Sequence, residues 1–180
     1  MKQNLDEKIS FPEGTVCKVE NGVIICTKGA NSLQRPLGTA EIEASVENNE
    51  LSLKCARGNK KQLNVIRSLA AHVRNMIVGL DKKFSYTLEA CNVHFPMTLK
   101  LDGNKLIINN FLGEKTPRFA YIPEGVHVEI KGLKITLTSH DREKAGQAMA
   151  NIEYSTKVRK RDRRVFQDGI YLVERPGRNA

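Results

Sequence analysis

The stretch Phe11–Thr27, FPEGTVCKVENGVIICT, has a counterpart at Ile122–Thr138, IPEGVHVEIKGLKITLT. Each copy opens on Pro-Glu-Gly and then alternates apolar and polar residues across a short turn. That pattern marks a half-buried antiparallel hairpin. Around Asn21-Gly22 a two-residue turn sets Val19 opposite Ile24 and Cys17 opposite Cys26, all on one face. Reading one residue fewer at the second turn, Lys131-Gly132, sets Ile130 opposite Leu133, Val128 opposite Ile135 and Val126 opposite Leu137. Two copies of one motif in one chain point to duplication.

Working outward, two more turns set registers of the same kind. Around Asn48-Asn49, Val46 meets Leu51, Ala44 meets Leu53 and Ile42 meets Cys55, with Glu41, Glu43, Ser45 and Ser52 facing out. Around Gly103-Asn104, Leu101 meets Leu106 and Leu99 meets Ile108, with Asp102 opposite Lys105. Two helices separate these hairpins. From Asn59, an N-cap with Gln62 three residues on, Leu63, Ile66, Ala70, Val73, Ile77 and Leu80 recur at helical spacing. A second helix is predicted from about Ser139–Asp141 to Thr156, with a small apolar face of Ala145, Ala148, Met149 and Ile152. The predicted fold is therefore α+β: two similar domains, 1–80 and 81–180, each an antiparallel sheet covered by one main helix. The repeated hairpin comes first in one half and just before the helix in the other, so duplicated halves would use their strands in shifted order.

Composition narrows the function. Of 180 residues, 40% are apolar and 27% charged, which is ordinary for a globular protein. A net charge of +9 is not ordinary, and it favours a polyanionic partner, nucleic acid before anionic membrane. No apolar run approaches the roughly 18 residues of a membrane helix, and MKQNLDEKIS lacks a signal peptide's apolar stretch, so no membrane association and a cytoplasmic location are expected. Four cysteines without a CxxC pair predict no metal site. Cys17 and Cys26, facing each other, are expected to stay reduced in that compartment. His72, His94, His127 and His140 are scattered, with His72 bordering a packed stripe and His94 at a bend before Pro96. No Walker loop, HExxH or GxSxG occurs, so neither catalytic residues nor a cofactor are predicted.

The chemistry lies near the end, in KVRKRDRRVFQDGIYLVERP from Lys157. Six of the eight residues from Lys157 to Arg164 are cationic: Lys157, Arg159, Lys160, Arg161, Arg163 and Arg164. Arginine predominates, and its planar fork matches phosphate oxygens. Val165, Phe166, Ile170, Tyr171 and Val173 supply apolar anchors around a turn at Asp168-Gly169. The segment thus reads as an RNA-binding ridge held in shape. A chain ended after Thr156 is expected to fold yet lose most RNA affinity and salt dependence. With no helix-turn-helix, zinc finger or RNP aromatic pair, folded RNA read through its backbone is the favoured partner.

NFLGEK from Asn110, HVRNMI from His72, HFPMT from His94 and RDRRVFQDGIYLVE from Arg161 together resemble the universal large-subunit ribosomal protein family numbered six in bacteria and archaea and nine in eukaryotes. The wording is similar to the archaeal branch and runs from about Ile9 to Arg175. The resemblance implies a non-enzymatic constituent of the large ribosomal subunit, whose RNA contacts, carried over by motif, fall on Lys157–Arg164 and on the following turn with Phe166, Asp168, Gly169 and Tyr171. Its implied partners are large-subunit ribosomal RNA near the sarcin–ricin loop, neighbouring ribosomal proteins, and translational GTPases docking nearby. TKGANSLQR from Thr27 departs from the family's Lys-Gly-Pro-Lys-Gly-like loop, keeping only Lys28 and Gly29, so a contact there is in question. Arg35 and the exposed face of the first helix stay candidates for RNA or protein contact. Two other readings remain: a free RNA-binding or assembly factor, which a high-salt wash would strip from subunits, and a small enzyme acting on RNA, which would turn RNA over.

Overall fold

The computed structural model describes residues 3–39, 41–47 and 49–177. It divides into two compact units, Met1–Lys82 and Lys83–Ala180. The first contains β1 (Gln3–Ser10), β2 (Val16–Glu20), β3 (Val23–Lys28), β4 (Asn31–Pro36), β5 (Glu43–Glu47), β6 (Glu50–Gly58) and α1 (Lys60–Asp81). The second contains β7 (Phe84–Cys91), β8 (Thr98–Asp102), β9 (Lys105–Asn109), β10 (Arg118–Tyr121), β11 (His127–Lys131), β12 (Lys134–Ser139), α2 (Arg142–Ser155) and β13 (Gly169–Glu174). Every strand pair is antiparallel. The α+β class with one main helix per unit holds, and the strands of each unit form two small sheets. These are β1-β6-β5 with β2-β3-β4, and β10-β9-β8 with β11-β12-β7-β13.

In the first unit the expected pairs Val19–Ile24, Cys17–Cys26, Val46–Leu51 and Ala44–Leu53 are all found. Asn48 of the Asn48-Asn49 turn lies outside the described residues. Asn59 caps α1 by accepting from the backbone N–H of Lys61 (2.7 Å) and Gln62 (3.4 Å), while its own N–H donates to the Gln62 side chain (3.1 Å). This reciprocal pairing is the capping box its spacing predicted. Ile66, Leu69, Ala70, Val73, Ile77 and Leu80 are buried against the strands. Each large side chain among them stabilises the unit by roughly 1.5–3 kcal/mol.

Three features differ from the sequence reading. First, β1 forms where the chain looked merely polar: Leu5 and Ile9 face inward, opposite Cys55 and Leu51. Glu7 shares that face, and its carboxylate accepts from Arg74 Nη2 of α1 at 2.8 Å, which offsets the cost of a charge on an inner face. Second, TKGANSLQR is no loop. Lys28 pairs with Asn31 and Ile24 with Arg35, making β4 the third strand of its sheet. Arg35 is half-buried with Nη2 3.4 Å from His72 Nε2, and Lys28 forms an ion pair with Asp81. Lys28 and Arg35 therefore both serve the unit's own packing. Third, Cys17 and Cys26 are joined as a disulfide, against the expectation of free thiols. The register sets two inward cysteines directly opposite, with Cα atoms 4.2 Å apart, leaving each sulfur the other as neighbour.

The second unit corrects one register. Ile130 pairs with Ile135 and Val128 with Leu137, and Lys131–Lys134 closes a Gly132-Leu133 turn with Gly132 at φ +61°. The sequence reading had slipped by two residues because it shortened that turn. A two-residue slip keeps each side chain on its face, so Val128, Ile135 and Leu137 are buried as expected. Leu133 alone changes, from core to an exposed turn. The unshortened alignment places Val128 and Leu137 where Cys17 and Cys26 stand, so the two hairpins match residue for residue. At β8–β9 the pairs Leu101–Leu106, Leu99–Ile108 and Asp102–Lys105 are as predicted. Asp141 caps α2, whose Ala145, Ala148 and Ile152 are buried and whose small face lets it sit close to the strands. Among the described residues no helix is long and apolar enough to cross a membrane.

Candidate nucleic-acid interface

Between α2 and β13 the chain runs irregularly from Lys157 to Asp168. Lys157, Arg159, Lys160, Arg161, Arg163 and Arg164 are all exposed along it. A charged run of this kind usually moves freely in water. This one is tied down at its start, middle and end.

At the start, Arg118 of β10 acts as a clamp. Its Nη1 donates to the carbonyl oxygens of Ser155 (2.9 Å) and Lys157 (3.3 Å), satisfying the otherwise open C-terminal end of α2. A cation there also suits the negative end of the helix dipole. Nε and Nη2 donate to the two oxygens of Glu114 at 2.8 and 2.6 Å. The guanidinium lies 4.2 Å from the centre of the buried Phe111 ring. The side-chain hydrogen bond from Arg118, opposed by burial and helped by the charges of Arg118 and Arg161, holds Glu114 below the usual carboxylate range. Val158 is buried, a foothold inside the basic run.

The end is held by Asp168, which is fully buried. Its Oδ1 accepts from the backbone N–H groups of Val93 (2.8 Å) and His94 (3.0 Å), and its Oδ2 lies 2.6 Å from His94 Nδ1. Burial pushes this carboxyl up, but the N–H of His94, its side chain, the N–H of Val93 and the His94 charge together outweigh it and leave it lowered. An ionised carboxylate only accepts, so His94 Nδ1 carries the hydrogen. His94 in turn stacks on Phe166 with ring centres 5.0 Å apart, and Arg161 lies 4.8 Å from the Phe166 ring centre. A further link ties both ends: the N–H of Ile170 donates to Thr156 Oγ1 at 3.0 Å.

The family motifs quoted above thereby acquire a physical reason. HFPMT supplies His94, NFLGEK supplies Phe111 and Glu114, and RDRRVFQDGIYLVE supplies Arg161, Phe166 and Asp168. Asn110, at φ +58°, reaches back to donate to Pro96 O at 3.0 Å. HVRNMI lies on α1 of the other unit.

The predicted site residues thus divide by task. The six cations face solvent, although Arg164 is chelated by Asp162, through Nε at 3.2 Å and Nη2 at 3.0 Å. That contact and the N–H of Arg164 hold Asp162 below the usual carboxylate range. Phe166 is half-buried and serves as a stacking base for Arg161. Asp168 and Gly169 form no turn: Gly169 begins β13 opposite Cys91. A Cβ at Gly169 would come within 2.9 Å of Tyr171 Cζ and Oη, so glycine is what lets that ring lie across the backbone. The expected anchors also shift, since Ile170 is buried whereas Val165 and Val173 are largely exposed. A chain ended after Thr156 would therefore lose core and sheet along with charge. Arg118, Glu114, His94 and Tyr154 escaped the sequence reading. Arg118 and His94 act through partners far away in the chain, Glu114 acts through Arg118, and Tyr154 left only the weak signal of an aromatic off the buried stripe of α2.

The family model described as ribosomal protein L6 matches residues 95–169, which include Glu114, Arg118, the basic run and Asp168. A protein named large ribosomal subunit protein uL6 from Methanococcus vannielii is 39% identical over 172 residues, 96% of this chain and 94% of its own. Another of that name from Methanosphaera stadtmanae is 39% identical over 173 residues, again covering 96% and 94%.

Proposed function

Because the chain belongs to the ribosomal protein L6 family and is of its archaeal type, we propose that it grips large-subunit ribosomal RNA through Lys157–Arg164, near the sarcin–ricin loop where translational GTPases dock. A member of this family is a structural constituent of the large ribosomal subunit and not an enzyme. The observation that carries the RNA-binding site is a run of exposed cations held at both ends by buried contacts, Arg118 on Ser155 O and Asp168 on Val93 and His94. Cations so held lose little side-chain and backbone freedom on binding, so more of each phosphate contact reaches the affinity. Nearby ribosomal proteins complete the setting that the family resemblance implies.

Binding of an rRNA fragment bearing the sarcin–ricin loop should fall steeply with salt, with a log–log slope of about −4 to −5 if six phosphates are met. Replacing Arg159, Arg161 and Arg163 together by Gln is expected to make that slope shallower by roughly one for each residue. Arg164→Gln, whose fork is already held by Asp162, should change it less. Equal slopes for wild type and the triple variant, measured by fluorescence anisotropy, would remove this segment from the interface. Retention on 50S-type subunits through a high-salt wash separates a core constituent from a free assembly factor of the same fold.

A further inference from the structure

Beside the basic run lies a cleft of about 320 Å³, framed by the last turns of α2, the start of the run and the first residues of β13. Its lining combines apolar, aromatic and charged groups of both signs, among them Glu153, whose Oε1 accepts from the N–H of Leu172 at 3.2 Å. Thr156, Val158 and Ile170 make a buried floor. Tyr154 and Tyr171 are its aromatic walls, and Lys157 and Arg163 stand at it as cations. The volume is at the small end of ligand-binding clefts, which run about 300–1,000 Å³, so it suits one nucleotide and not a length of strand.

The two tyrosines are set for stacking in different ways. Tyr171 is locked: its hydroxyl donates to Gln167 O at 3.1 Å and lies 3.4 Å from Asp168 O, and its ring crosses Gly169. Tyr154 is 63% exposed at the end of α2, outside the stripe that packs the helix, so folding does not explain an aromatic there. Lys157 Nζ and the Arg159 guanidinium lie 5.9 and 5.5 Å from its ring centre. An aromatic face with cations around it is the arrangement that takes an unstacked base and its phosphate.

We propose that this cleft receives a single unpaired nucleotide turned out of the bound RNA, its base lying against Tyr154 and Tyr171 and its phosphate meeting Lys157 and Arg163. The inference rests on the RNA-binding reading above and adds local shape selectivity to it. Phosphate contacts by the arginines position the RNA without choosing among its features; this cleft chooses a bulge over a continuous helix.

The test uses the full chain with two RNA probes, a short duplex carrying one bulged nucleotide and the same duplex fully paired. Wild type is expected to bind the bulged probe about tenfold more tightly. Tyr154→Ala should remove most of that preference, lowering affinity for the bulged probe far more than for the paired one, and Tyr154→Phe should keep it. Equal wild-type affinities for the two probes defeat the cleft assignment and leave the arginine interface standing. So does a Tyr154→Ala variant that keeps the preference or weakens both probes alike. Free adenosine monophosphate competing as well as the bulged RNA would replace it with a mononucleotide site. Failure to bind either probe overturns both readings together.

Discussion

A chain ended after Thr156 is expected to lose the folded state of residues 83–156, and not merely an RNA-binding tail. The truncation removes β13, which pairs with β7 through Ile170–Ala90 and Leu172–Leu88, and so bares the hydrogen-bonding edge of the sheet's interior strand. It removes Ile170, 1% exposed, whose loss from a core costs about 2–5 kcal/mol. It removes Asp168, which leaves the N–H groups of Val93 and His94 and His94 Nδ1 without their acceptor. Thr156 Oγ1 also loses the N–H of Ile170. A small domain has only about 5–15 kcal/mol in total. Amide spectra of the truncated chain should therefore show collapsed dispersion for residues 83–156. Native dispersion there would mean that the C-terminal strand adds nothing essential to the core. RNA binding is better tested by substituting the exposed arginines, which the core does not need.

The sequence carried the hairpins and helices because each was fixed by neighbours close in the chain. Asn59 and Gln62 cap one another three residues apart, and Asn21-Gly22 set the Cys17–Cys26 register within ten positions. What it hid depends on partners far away. Glu7 interrupts the apolar alternation of β1 and makes sense only beside Arg74. Asp168-Gly169 looked like a turn because that dipeptide commonly is one. Its carboxylate instead reaches Val93 and His94 across a long intervening stretch, and its glycine makes room for Tyr171. His94, passed over as a bend residue, proves to be the hinge of that contact. The six cations of the proposed interface were plain in the chain. The scaffold that makes them rigid, Arg118 on Ser155 and Lys157 and Asp168 with His94, was not, since each contact joins segments far apart in the chain.

Asp168→Ala should be strongly damaging to the second unit, costing about 3–5 kcal/mol. That magnitude is typical when a buried, multiply bonded carboxylate is deleted and its donors are left bare. For a unit of this size it corresponds to a fall in melting temperature of roughly 15 °C or more. Asp168→Asn should cost much less. Its carbonyl oxygen can still accept from the Val93 and His94 N–H groups, and a change of His94 tautomer lets Nδ1 accept from the new amide. Acid distinguishes the charge from the shape. The folded carboxyl is held below its ordinary value, so its contribution is fully present above the unfolded value near 4 and is lost as pH falls through the lower, folded one. Wild type should therefore weaken below about pH 4 more steeply than Asp168→Asn, which has no proton to take up at that position. The same release should free the Phe166 stack and with it Arg161, so at neutral pH Asp168→Ala should also weaken RNA binding although no cation has been removed. If Asp168→Ala melts within a few degrees of wild type and binds RNA as tightly, the basic run does not depend on this latch, and rigidity is not the source of its grip.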